Sequence, residues 1–201
     1  MQLLLIRHAL PLRSDQGSDP DLSEEGIAQA MRLPDALKRF PVTRLVSSPQ
    51  KRAVQTGQPV ADALGLPIEI DDRLAEYDRD LPQYIPIEQI AAEQPEELAR
   101  LISGHLPSSV DEGAFLARIT EGVADLAADA DPDDTVAVFS HGGVINGVLH
   151  DILPTERILS FQVDYTGITR LLASSRTGRL SVAGVNSVEH VWDLLPRNQR
   201  W

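Results

Sequence analysis

Six short runs of aliphatic residues recur along the chain, at Gln2–Ile6, Arg44–Ser47, Pro67–Ile70, Thr135–Ser140, Gly167–Ala173 and Leu180–Val185. Runs of this length, rich in Leu, Val and Ile, read as strands, and the longer stretches between them carry helical spacing. Strands that alternate with helices form a largely parallel sheet covered on both faces. The expected fold is therefore α/β, a three-layer sandwich with helices above and below a central sheet. The segment Asp78–Ser109, rich in Pro, Glu and Gln, interrupts the alternation and reads as a lid or insertion over one end of the sheet. No repeat or long linker divides the rest, so residues 1–201 read as one domain.

The helical stretches carry their own punctuation. Ser23 is placed as an N-cap for Glu24–Phe40, with two acidic residues in the first turn where the helix dipole favours them. Pro34 lies inside that pattern and should kink or divide it. Ser48-Pro49 reads as cap and first residue of a helix that runs to Leu64 and closes at Gly65. Asp111–Asp129 and Gly142–Asp151 complete the set.

Three of the strands end in residues suited to an anion. Arg7-His8 follows the first run directly, and the C-terminal ends of parallel strands are where open α/β sheets bind ligands. A solvated strand end would look the same. In "LVSSPQKRAVQT", Leu45–Thr56, a strand passes into a helix whose first turn holds Lys51 and Arg52. Cations are unfavourable there by about 0.3–1 kcal/mol each, unless both point into water or an anion sits at the helix N-terminus and reverses the sign. In "VAVFSHGGVING", Val136–Gly147, a strand ends in Ser140-His141 and two glycines open a helix. Glycines at that place, Gly142 foremost, let a ligand approach the free backbone N–H groups. Together the three ends supply two Arg and two His, the residue types of a phosphate pocket.

Charge sharpens the point. The 201-residue chain has a formal net charge of −12, so a cluster of Arg and His runs against its background, and a nucleic acid or an anionic membrane surface would be repelled. No apolar run approaches the ~20 residues of a membrane span, and the opening has no signal-peptide pattern, so the expected compartment is the cytoplasm. The absence of cysteine removes thiolate metal sites and cysteine nucleophiles. No His-Glu-x-x-His, Gly-x-Ser-x-Gly or Walker loop is present. The "DPDDT" run, Asp131–Thr135, precedes a strand, whereas an aspartate nucleophile needs a strand's end.

Four ordered segments resemble the histidine phosphatase superfamily, the phosphoglycerate mutase-like fold. They are Arg7-His8-Ala9, Leu22-Ser23-Glu24-Glu25-Gly26, Ser48-Pro49-Gln50-Lys51-Arg52-Ala53-Val54-Gln55-Thr56 and Ser140-His141-Gly142-Gly143. The resemblance implies a phosphomonoesterase in which His8 takes the phosphoryl group and Arg7, Arg52 and His141 bind its oxygens. It implies a carboxylate proton donor, for which "DDRLAEYDRD" offers Glu76, with Asp78 as the nearby rival. With the Arg and His cations neutralising the phosphate, no metal and no cofactor are expected, and the overall negative charge and single pocket favour a small phosphorylated metabolite as substrate.

The chain departs from the family pattern at Ala9, where a glycine is usual, and at Pro11 and Ser14, where Thr and Asn often stand. Arg13, Ser14 and Tyr84 are possible substrate contacts. A phosphoglycerate mutase would share every one of these residues and differ in its lid. A phospho-ligand binder without turnover is the reading from outside the enzymes.

Overall fold

A computed structural model of the chain describes residues 1–12, 18–79, 95–174, 177–196 and 198. Its six strands form one sheet: β1 (Gln2–Arg7), β2 (Arg44–Ser47), β3 (Ile68–Ile70), β4 (Thr135–Ser140), β5 (Ile168–Ala173) and β6 (Leu180–Ser187). The order across the sheet is β3-β2-β4-β1-β5-β6. The first four are mutually parallel, while β5 runs antiparallel to both β1 and β6. The sheet is thus parallel over most of its width, with an antiparallel flank.

Six described helices accompany it: α1 (Glu24–Ala30), α2 (Leu33–Leu37), α3 (Lys51–Leu64), α4 (Pro95–Ile102), α5 (Glu112–Asp129) and α6 (Gly142–Ile152). The period of two along β1 sorts its side chains to opposite faces. Leu3 and Leu5 pack with Phe115, Ile119, Val123 and Val148 of α5 and α6. Leu4 and Ile6 pack with Leu33, Leu37, Val60 and Ala61 of α2 and α3. Two hydrophobic layers enclose the sheet, and β1, buried on both sides, is its centre.

The helix following β1 therefore lies on one face and the helix following β4, its parallel neighbour, on the other. Chains leaving adjacent strands in opposite directions open a crevice at the strands' C-terminal ends, where open α/β sheets bind ligands. Arg7 pairs with Ser140 at that end.

The local punctuation is largely as expected. Ser23 caps α1 by accepting from the Gly26 N–H at 3.0 Å, and the pattern breaks at Met31–Arg32, so Pro34 falls in the first turn of α2. Gly65 closes α3 in the left-handed conformation, φ +66°. One expectation fails: Ser48 does not cap α3, which starts at Lys51 with Gln50 as its cap residue. Asp19 satisfies that helix end instead, its carboxylate accepting from the Lys51 N–H at 2.9 Å. Of the Asp78–Ser109 segment, residues 80–94 lie outside the described part and residues 95–102 form α4. No described helix is long and apolar enough to cross a membrane.

Candidate active site

The three strand ends do converge. β1 delivers Arg7 and His8, the β2–α3 turn delivers Ser48, Gln50 and Arg52, and the β4–α6 turn delivers His141, Gly142 and Gly143. A turn of 3₁₀ helix after β3, Asp72–Leu74, leads directly into Glu76 and Asp78. His8, Arg52, Glu76, Asp78 and His141 are all buried. Polar and charged groups withdrawn from water together, at a sheet's ligand-binding end, are costly unless they partner one another or a ligand.

His8 sits 5.1 Å from His141, ring centre to ring centre. Its Nδ1 lies 2.8 Å from the Ala9 carbonyl. A carbonyl can only accept, so Nδ1 carries the ring proton and Nε2 keeps its lone pair. Burial, then the guanidiniums of Arg52 and Arg7, hold the imidazole well below its usual pKa, so it is neutral at physiological pH. His141 is depressed too, by burial first and then by Arg52 and His8, and its Nε2 lies 2.8 Å from the Ser48 hydroxyl. Nε of Arg7 and Nδ1 of His141 are buried here with no hydrogen-bond partner among the described residues.

The two cations at the start of α3 part company as their burial does. Lys51 is exposed, whereas Arg52 is fully buried. Nη2 of Arg52 donates to both oxygens of Asp78, at 2.8 and 2.9 Å, and Nη1 donates to the Ser18 carbonyl at 2.9 Å. Asp78 also accepts from Gln50 Nε2 at 2.9 Å, and Gln50 Oε1 accepts from the Glu76 N–H at 2.7 Å. One amide thereby ties the turn before α3 to the acidic segment.

Glu76 and Asp78 have different surroundings. Glu76 accepts from the backbone N–H groups of Gly143 at 2.8 Å and Tyr77 at 3.1 Å, and among the described residues no side-chain cation is hydrogen-bonded to its oxygens. Burial, aided by the charge of Asp78, pushes its carboxyl up to about 7. Gly143 lets the carboxylate come this close: a Cβ there would displace Glu76 Oε1. Asp78 is the counter-ion of Arg52, and Glu76 is the carboxyl able to hold a proton near neutrality.

The other sequence candidates are placed as follows. Gly142 lies beside Arg7, where an added Cβ would stand 3.6 Å from Nε. Ala9 is accommodated: its methyl is fully buried with Leu22 and Ala30, and its N–H donates to Thr56 Oγ1 at 2.9 Å. Arg13, Ser14 and Tyr84 lie outside the described residues. Sequence reasoning missed Ser48 and Gln50 as site groups, although both stand in the Ser48–Thr56 segment. It also missed Tyr165, whose ring lies 4.0 Å from the Arg7 guanidinium and 5.8 Å from the His8 ring. No motif marks that residue.

Residues 3–186 match the family model of the histidine phosphatase superfamily, branch 1, and the chain belongs to that superfamily. It is 31% identical to phosphoserine phosphatase 1 of Hydrogenobacter thermophilus over 149 residues, which are 70% of this chain and 71% of that protein. It is 28% identical to a probable phosphoglycerate mutase, GpmB, of Yersinia pestis, over 76% of this chain and 75% of the relative. Among solved structures, a mycobacterial glucosyl-3-phosphoglycerate phosphatase superposes with a TM-score of 0.76 at 26% identity, covering 92% of this chain and 98% of that one. By class the chain is a phosphoric monoester hydrolase.

Proposed function

We propose that the chain hydrolyses a small phosphorylated metabolite through a phosphohistidine on His8, without a metal ion. The observation that carries this is the state of His8: buried, neutral, flanked by two guanidiniums, with its Nδ1 proton donated to the Ala9 carbonyl. The Nε2 lone pair attacks phosphorus as the ester P–O bond breaks. Arg7, Arg52 and His141 hold the equatorial oxygens, the Arg7 Nε and His141 Nδ1 atoms finding partners in them, and the Gly142 N–H at the start of α6 adds to the cradle. The positive charge that a metal would bring is carried by the two arginines.

The leaving alkoxide takes the proton of Glu76, which a carboxyl raised to about 7 still holds in the physiological range. The resulting carboxylate then removes a proton from water, whose oxygen attacks the phosphohistidine. The N–P bond breaks, inorganic phosphate leaves, and His8 and Glu76 return to their starting protonation states. Phosphoserine and glucosyl-3-phosphoglycerate, named for two relatives, are the first substrates to test. The segment 78–109 is the part expected to select among them.

The mutase relative favours a second reading, in which the phosphoryl group returns to the substrate instead of to water. Hydrolysis of para-nitrophenyl phosphate in excess EDTA, wild type beside His8→Ala, tests the first. The expected result is EDTA-resistant turnover that falls by about 10⁴-fold or more without His8. Turnover that needs a metal would overturn the mechanism. Isomerisation of a phosphoglycerate without release of phosphate would establish the mutase.

A further inference from the structure

We propose that Tyr165 is a positioning residue for the phosphate-binding Arg7 and for His8, held in place by a latch between Asp164 and Asn186; the inference rests on the proposed phosphatase reading. The loop Val163–Gly167, which leads into β5, grips Arg7 from several sides. The Val163 carbonyl accepts from Arg7 Nη1 at 2.6 Å, the Arg7 carbonyl accepts from the Thr166 N–H at 3.0 Å, and the Gly167 carbonyl accepts from the Arg7 N–H at 3.3 Å. The face of Tyr165 covers the guanidinium, whose carbon lies 4.0 Å from the ring centre. The same ring stands 5.8 Å from the ring of His8, tilted by 54°. One aromatic side chain therefore touches both the cation that would bind the phosphate and the imidazole that would attack it.

The backbone shows that this placement is imposed. Thr166 and Asn186 are the non-glycine residues with left-handed backbone among those described, both at φ +55°. For a β-branched residue that conformation is an outlier, and such strain persists only where the surroundings over-determine it. Here they do. Asn186 Oδ1 accepts from the Asp164 N–H at 2.8 Å, and Asn186 Nδ2 donates to Asp164 Oδ2 at 2.8 Å. Gly167 leaves room for the amide, since a Cβ there would collide with Asn186 Oδ1. His190 adds a hydrogen bond to the Thr166 backbone. The latch ties Asn186 of β6 to the loop that carries Asp164 and Thr166, and that loop in turn holds Arg7 at the end of β1.

The test compares Tyr165→Leu and Tyr165→Phe. Leucine keeps most of the bulk and removes the aromatic face; phenylalanine keeps the face and removes the hydroxyl. A cation–π contact between half-buried partners such as Arg7 and Tyr165 corresponds to about a tenfold change in affinity. Tyr165→Leu is expected to raise the inhibition constant of inorganic phosphate and the KM for para-nitrophenyl phosphate about tenfold, and to lower kcat as well. Tyr165→Phe restores both to within about twofold. Asn186→Gly, which keeps the left-handed backbone but removes the latch, moves the phosphate constant in the same direction as leucine. A thermal melt of each variant confirms that the comparison is between folded proteins.

Phosphate binding unchanged in Tyr165→Leu would overturn the proposal. So would an equal loss in the leucine and phenylalanine variants, because that assigns the effect to the hydroxyl. A wild-type protein that neither binds nor releases phosphate would instead defeat the phosphatase reading on which the proposal stands.

Discussion

The two halves of the sheet do different work. The parallel half, β3-β2-β4-β1, ends in Arg7, His8, Ser48, Arg52, His141 and the Glu76 segment, all gathered at one edge. Among the described residues the antiparallel flank, β5-β6, sends no group of that kind to the site; it supplies packing, as at Leu171 opposite Leu3, and the loop that grips Arg7. Parallel strands all point their C-terminal ends the same way, so successive turns can contribute to one crevice. An antiparallel neighbour points its start there instead, and what it brings is support. Chemistry concentrates where strand directions agree, and stability can be drawn from anywhere in the sheet.

Changes on each side should therefore separate rate from stability. The largest effect is expected at Glu76. Replacement by Gln keeps the size and removes the transferable proton, and kcat should fall by about 10²–10⁴-fold. Wild-type turnover should decline as pH rises through about 7, because the proton donor is lost, and steady-state profiles of the Gln variant should lack that decline. Stability follows pH in the same direction. The folded carboxyl, at about 7, holds its proton more tightly than the ordinary value of 4.5, so its contribution is complete below pH 4.5 and is lost as pH rises through 7. Above pH 7 the Gln variant is relieved of that loss, worth about 3 kcal/mol at most, which urea titrations at pH 5 and 8 would measure.

On the flank, Leu171→Ala should cost about 2–5 kcal/mol of stability through the cavity it leaves, with kcat within about twofold of wild type wherever the protein is folded. A fall in kcat comparable to that of the Glu76 variant would break the division between the two halves. The smallest effect belongs to Lys51, exposed at the unfavourable end of α3. Lys51→Ala should stabilise by about 0.3–1 kcal/mol in denaturant titrations at low salt and leave phosphate affinity unchanged. A marked loss of affinity would show that Lys51 shares the work assigned to its buried neighbour Arg52.

The same division governs what the sequence could disclose. β2 and β4 were readable to the residue, and the centre of the sheet nearly so, because a short aliphatic run bounded by polar residues has little else to become. His8, Arg7, Arg52 and His141 were readable because each abuts such a run or opens a helix, and because their surroundings match a family's segments. Ser48 shows where local rules stop: its chemistry suits a helix cap, but its hydroxyl is turned to His141, 93 residues away, and Asp19 caps the helix. Tyr165 and Asn186 were beyond reach for the same reason. Their importance lies in contacts with Arg7 and Asp164 across the sheet, and neither helical nor strand spacing encodes which distant residue an aromatic ring will cover.

The position of β1 has a consequence in time. The strand that carries Arg7 and His8 is made first, yet both its neighbours come late: Gln2 pairs with Thr135 and with Leu172. Synthesis at about 5–20 residues per second separates Gln2 from Thr135, 133 positions on, by roughly 7–27 s. For that interval Leu3-Leu4-Leu5-Ile6 is a sticky, β-prone stretch with nothing of its own to pair with, the kind of segment that seeds aggregation. The yield of active protein should then depend on whatever shields these few residues while the ribosome finishes the chain.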